Sequence, residues 1–321
     1  MTATLENPYA PPSDERVQAG PPRGWKPPKG LRPREPRSAR LPFTDGARAL
    51  QIALVTAVAL VVGVFAYLAV LTPLQEARAQ RELGSQLRQE LAAQTAPIGG
   101  VIDPGTPVLL LEIPTLGLRQ VVVEGTAAQD LMSGPGHRRD TPLPGQRGVS
   151  LVYGRSGAYG GPFKAVPTLK KGDGIIVTNG QGEFTYRVDG VRYAGDPFPA
   201  PPAADGSRLT LVTGEGPGGS AGTLLPVRVA YVDATLVGKA AVAPPGRAGG
   251  VPESEKAMQV DPSVWPIVVL ALQLLLLVVL VTAFLVRKLP GRAVWVLAVP
   301  VVVAAAWVVG DTSARLLPNL L

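Results

Sequence analysis

Three uninterrupted apolar stretches bracket one long region of short, alternating runs. The first, residues 49–71, carries no charged side chain. At about 1.5 Å per residue it is long enough to cross a hydrocarbon core of about 30 Å, so the pattern predicts a transmembrane helix. It is too long, and too far from the N-terminus, to read as the apolar core of a cleavable signal peptide. Two further spans are predicted at 264–286 and 293–310, the second interrupted by Pro300, where a kink is expected. Between 74 and 94, Leu83, Leu87 and Leu91 recur at four-residue spacing among Glu, Arg and Gln. That is the stripe of an amphipathic helix, suited to pack on the domain it introduces or to pair with a second copy as a stalk; Gly84 beside it weakens a long coiled coil.

Residues 107–236 read as β-rich. Strand candidates fall at 108–113, 120–123, 149–152, 174–177, 184–188, 209–212 and 226–232, separated by Gly, Pro, Asn and Asp. Asn179-Gly180 suits a tight hairpin turn, and the number and shortness of the runs suggest a barrel or sandwich. The resulting layout is a disordered Pro/Arg-rich tail (1–48), a span (49–71) and an amphipathic helix with a linker (72–106). The globular region (107–236) and a Pro/Gly-rich linker (237–263) follow, then a span (264–286), a short loop (287–292), a last span (293–310) and a tail (311–321). The N-terminal tail has no apolar periodicity with which to bury a core.

Composition fits this picture. Hydrophobic residues make up 46% of the 321, as expected for a membrane protein. Lys and Arg outnumber Asp and Glu by 31 to 24, but the excess lies in the N-terminal tail and beside the apolar stretches. It therefore argues for membrane orientation and anionic lipid rather than nucleic acid. Arg287, Lys288 and Arg292 fill the short loop between the last two spans, and Arg40 and Arg48 precede the first. Both place the N-terminus in the cytoplasm, with 72–263 and 311–321 outside. Arg78, Arg81 and Arg88 argue weakly against this, being interleaved with Glu76, Glu82 and Glu90. The chain has no cysteine, hence no disulfide framework and no thiolate metal site, and one histidine among scattered carboxylates has no metal-ligand spacing. No cofactor is expected.

The globular region resembles the sortase family, in particular the membrane-anchored, class E-like sortases of high-GC Gram-positive bacteria. The resemblance rests on Leu111-Glu112-Ile113-Pro114-Thr115-Leu116-Gly117-Leu118, Val123-Glu124-Gly125-Thr126, Gly134-Pro135-Gly136-His137 and Thr141-Pro142-Leu143-Pro144-Gly145. It continues through Gly161-Pro162-Phe163, Lys171-Gly172-Asp173, Phe184-Thr185-Tyr186-Arg187-Val188 and Arg208-Leu209-Thr210-Leu211-Val212-Thr213. It implies a mainly β fold, a closed barrel of about eight strands with a groove at one end. It also implies catalysis by a Cys nucleophile, a His and an Arg. Here the resemblance puts Gly154 at the His place, Gly214 at the Cys place and Leu225 at the Arg place; Arg228 is near, at an odd offset from Leu225. Thiolate attack, proton donation to the leaving amine and oxyanion stabilisation are separate contributions, and all three groups are replaced.

The expectation is a membrane-anchored, non-catalytic sortase-like protein acting as a binding, scaffold or regulatory module in the cell envelope. Expected partners are the membrane, envelope proteins, sorting-signal peptides or an active sortase, and a second copy through the 74–94 helix. The candidate groove residues are His137, Tyr153, Arg155, Thr213 and Glu215, with 195–206 as a lid. His137 belongs to a motif the family keeps apart from its catalytic His, so a hydrogen-bonded turn residue is the plainer reading. The alternative is an atypical transpeptidase or hydrolase in which Thr213, Ser150 or Ser156 attacks, with Lys164, Glu215 or Asp196 as base. The glycines from Gly214 to Gly222 lack the Lys-Ser/Thr of a phosphate loop and read as a mobile loop.

Overall fold

Short aliphatic and β-branched runs fold here into eight strands in a computed structural model that describes residues 51, 54, 58, 62, 63, 65–217 and 226–321. The expected disordered tail (1–48), most of the first expected span (49–71) and Leu225 lie outside the described residues. The strands are β1 (Pro107–Ile113), β2 (Leu118–Glu124), β3 (Gly136–His137), β4 (Gly148–Tyr153), β5 (Gly174–Asn179), β6 (Gly182–Tyr193), β7 (Ser207–Glu215) and β8 (Arg228–Val237). They close in the order β1-β2-β3-β4-β7-β8-β6-β5. This is the mainly β, closed eight-stranded barrel that the resemblance implies. Pairs β2/β3 and β4/β7 are parallel and the rest antiparallel. The turn predicted at Asn179-Gly180 is the β5–β6 hairpin, with Asn179 opposite Gly182.

Inward-facing residues alternate along the strands: Leu109 and Leu111 in β1, Ile175 and Val177 in β5, Leu209 and Leu211 in β7, Val232 and Ala234 in β8 form one fully buried core. β7 departs from this alternation. All of its residues but Arg208 are buried, because its outer face is covered as well. The cover over its far end positions the site described below.

The 74–94 stripe forms a helix, α1 (Thr72–Ala92), that lies on the barrel. Leu87 is buried, and the Gln80 side chain serves an uncovered stretch of β2. Its Nε2 donates to the carbonyls of Val121 (3.0 Å) and Ser133 (2.7 Å), and its Oε1 accepts from Val121 N (2.8 Å). The apolar stripe expected to offer a second copy a dimer seam is therefore taken up by the barrel of the same chain, the first of the two roles the pattern allows.

Among the described residues two helices, not three, are long and apolar enough to cross a membrane, over Pro262–Val286 and Arg292–Ala314. They belong to α2 (Trp265–Lys288) and α3 (Gly291–Ala314), which pack together as a hairpin. Each 24-residue helix reaches about 36 Å at 1.5 Å per residue. α3 stays helical through Pro300.

Candidate functional site

The ends of β4 and β7 lie side by side: Tyr153 pairs with Val212, and Gly154 N donates to the Val212 carbonyl at 2.9 Å. Gly154 and Gly214 thus sit at one end of neighbouring parallel strands. Neither has room for a side chain. A Cβ on Gly154 would lie 2.3 Å from Cγ of Phe163, whose ring closes over the glycine. A Cβ on Gly214 would lie 2.7 Å from Cβ of Pro226, 3.1 Å from the Leu320 carbonyl oxygen and 3.2 Å from Ser156 Oγ. Gly214 is not left-handed, so its glycine is required by space rather than by backbone conformation.

The Leu320 contact comes from far along the chain. After α3 the backbone turns onto the barrel, and Asn319 and Leu320 are completely buried there. Asn319 Nδ2 donates to the carbonyls of Lys256 (2.6 Å) and Thr126 (3.1 Å), with Ser254 at 3.4 Å; Asn319 N donates to Gln259 O at 3.1 Å. The Leu320 side chain fills an apolar pocket with Leu131, Tyr153 and Val212. Its carbonyl accepts from both Ser156 N and Ser156 Oγ at 3.1 Å. Burying one such leucine contributes about 2 kcal/mol.

The wall opposite β7 is built from the 126–131 turn and the 252–259 segment. They are joined by Thr126 Oγ1 donating to Glu255 O (2.7 Å) and by the Arg139–Glu255 ion pair, in which Nε lies 3.1 Å from Oε2. Asp130 is buried in this wall, its Oδ2 accepting from Ala127 N at 3.2 Å. Burial raises its pKa to about 7, with the Glu255 charge adding to the effect.

Arg155 is the largest fully buried side chain. It donates to the carbonyls of Ala128 (2.8 Å), Leu131 (3.2 Å) and Leu321 (3.3 Å) and stacks 5.1 Å from the centre of the Tyr159 ring. Burial lowers its pKa to about 10, which leaves it charged at neutral pH. Tyr153 and Arg155 therefore do line this end of the barrel, beneath the 316–321 segment.

The other candidates lie elsewhere. His137 is fully buried in β3, its Nδ1 2.9 Å from Glu124 Oε2 and its Nε2 3.0 Å from Pro142 O; Arg247 holds the second Glu124 oxygen at 3.1 Å. It ties the 137–142 turn and the 237–263 linker to β2, the hydrogen-bonded turn role, and is no groove residue. Thr213 shares the parity of Leu209 and Leu211, so it turns into the barrel, and its buried hydroxyl has no hydrogen-bond partner among the described residues. Glu215 is held by Arg228 Nε (2.6 Å) and by the Tyr193 hydroxyl (3.4 Å). The atoms nearest a side chain at Gly214 come from Pro226, Leu320 and Ser156. Asn319, Leu320 and Phe163 were missing from the sequence candidates. Phe163 stood in a quoted motif, but its ring over Gly154 is a through-space contact that no local pattern announces.

No group of three or more His, Cys, Asp or Glu able to hold a metal occurs among the described residues. The sortase-domain family model matches residues 111–223. Sortase D of Bacillus subtilis is 35% identical over 79 residues, which is 25% of this chain and 38% of that protein's length. Among solved structures, a Clostridium perfringens sortase D5 transpeptidase aligns with a TM-score of 0.41 at 20% identity, covering 50% of this chain and 99% of that one. Sortase E of Streptomyces avermitilis aligns at 0.35 and 27% identity, covering 48% and 100%. The matched residues run from β1 into the segment after β7, so the likeness to sortases lies in the barrel.

Proposed function

We propose that this chain is a membrane-anchored sortase-like protein without transpeptidase activity, which binds a peptide or protein of the cell envelope at the β4/β7 end of its barrel. The observation that carries the reading is the pair Gly154 and Gly214, closed over by Phe163 and by Leu320 in a chain with no cysteine. A nucleophile and a proton donor both need side chains held within hydrogen-bond reach of one another. Here the one histidine is locked against Glu124, and the Thr213 hydroxyl faces the core with no base beside it among the described residues. Sorting-signal peptides and an active sortase are the partners the family resemblance suggests. The two apolar helices, the apolar 49–71 stretch of the sequence and the basic 287–292 loop support a cytoplasmic N-terminus and an extracytoplasmic barrel.

The test uses the full chain in detergent, a sorting-type peptide and an amine acceptor, together with crosslinking in the native membrane. The expected result is no cleavage or transfer, alongside recovery of an envelope protein. Turnover abolished by Thr213→Ala would establish the alternative, a transpeptidase with a hydroxyl nucleophile.

A further inference from the structure

We propose that the cleft at the ends of β4 and β7 is a peptide-binding site whose resident ligand is the chain's own segment 316–321, and that an extended peptide carrying Asn-Leu replaces it in trans. This deepens the binding reading above by naming what the site accepts. The contacts are those of ligand recognition. One neutral amide, Asn319 Nδ2, is read by backbone carbonyls of two separate segments, at Thr126 and at Lys256, with Ser254 O at the edge of range. An aspartate there would present acceptors to acceptors, so the site selects Asn against its isostere. The next residue enters an apolar pocket of Leu131, Tyr153 and Val212, and its carbonyl takes two donors from Ser156.

The site is made for backbone rather than for a catalytic side chain. The Leu320 carbonyl oxygen would lie 3.1 Å from a Cβ on Gly214, tighter than ordinary contact, with Pro226 Cβ closer still at 2.7 Å, so a bare residue at 214 leaves room for the occupied cleft. Nothing in the contacts is covalent: Asn319, the Leu320 side chain and carbonyl, and the Leu321 oxygen that accepts from Arg155 are groups a second peptide of the same sequence also carries. The tether of 316–321 to α3 gives it an effective concentration in the millimolar range, so a free peptide competes poorly with it until the tethered copy is weakened. Occupancy is also linked to the membrane hairpin: Leu321 packs with Ala314, Tyr159, Tyr67 and Leu68 where the barrel meets the helices.

The experiment uses the full chain in detergent micelles and a fluorescent, end-capped hexapeptide Leu-Leu-Pro-Asn-Leu-Leu, the sequence of 316–321. Leu320→Asp drives the tethered segment from its apolar pocket. The variant is expected to bind the hexapeptide saturably and at least tenfold tighter than the unaltered chain, while a hexapeptide with Asp in place of Asn fails to bind. A folded variant that binds neither peptide, or both equally, overturns the proposal. Should Leu320→Asp not fold, Leu320→Cys gives the chain a single cysteine in its otherwise cysteine-free sequence. Its maleimide labelling is expected to be slow and to accelerate several-fold with excess hexapeptide; a rate indifferent to peptide overturns the proposal. A sorting-type peptide bound where the hexapeptide is ignored sinks this inference alone. Hexapeptide binding with no envelope partner recovered by crosslinking sinks the partner reading alone.

Discussion

Asp130 shows how one residue's setting leaves a measurable trace. It sits in the wall that holds Asn319, buried, with one backbone donor and the Glu255 carboxylate nearby, and its pKa rises from 3.8 to about 7. A carboxyl that holds its proton more tightly folded than unfolded favours the fold at low pH. That advantage is lost as pH climbs through the window between these two values. The chain should therefore be more stable near pH 4.5 than near pH 7.5, by up to about 3 kcal/mol from this group. Asp130→Asn should flatten this dependence, read as denaturation midpoints of the full chain in detergent across that range; an unchanged slope would show that Asp130 is not its source. At this scale the sequence carries glycine at positions 154 and 214. It did not show what fills the space: Phe163 over Gly154 and Leu320 over Gly214 are contacts between residues distant in sequence.

At the scale of elements, the leucine stripe on α1 was legible from its spacing, whereas its anchor was a polar residue on the same face. β3 pairs only with Val123 and Glu124 of β2, so the β2 edge before them has no neighbouring strand. Gln80 substitutes for one, bonding both the N–H and the carbonyl of Val121, and Gly134 makes room: a Cβ there would lie 2.1 Å from Gln80 Nε2. Gln80→Ala leaves this edge without its partner and should cost about 1–3 kcal/mol. Thermal melting of the variant in detergent checks this, and an unshifted midpoint would mean that water serves Val121 equally well. β3 itself escaped the pattern reading because two residues, Gly136 and His137, carry no period, and the buried outer face of β7 blurred its alternation.

At the scale of the whole molecule, α2 and α3 carry the chain away from the barrel and back. Ser156 is bonded to a residue 164 positions later in sequence. Two crossings return a chain to the side it left, so the packing of 316–321 on the barrel fits a hairpin that spans the membrane. Single cysteines in the cysteine-free chain test this. Lys171→Cys on the barrel should react with a membrane-impermeant maleimide in intact cells, and Leu289→Cys between α2 and α3 only after permeabilisation. Labelling of Leu289→Cys in intact cells would overturn the arrangement. The sequence by itself determined the two C-terminal apolar helices, the β-rich region with its order of sortase-like motifs, and the lack of a thiol, because apolar length, period and residue identity are local properties. Only the tertiary structure decided that His137 is locked into the core and Thr213 turned into it, and that 316–321, set apart by sequence as a tail, fills the cleft. Those outcomes depend on which surfaces meet when the barrel closes and the helical hairpin returns, and surfaces that far apart in sequence leave no mark on either segment alone.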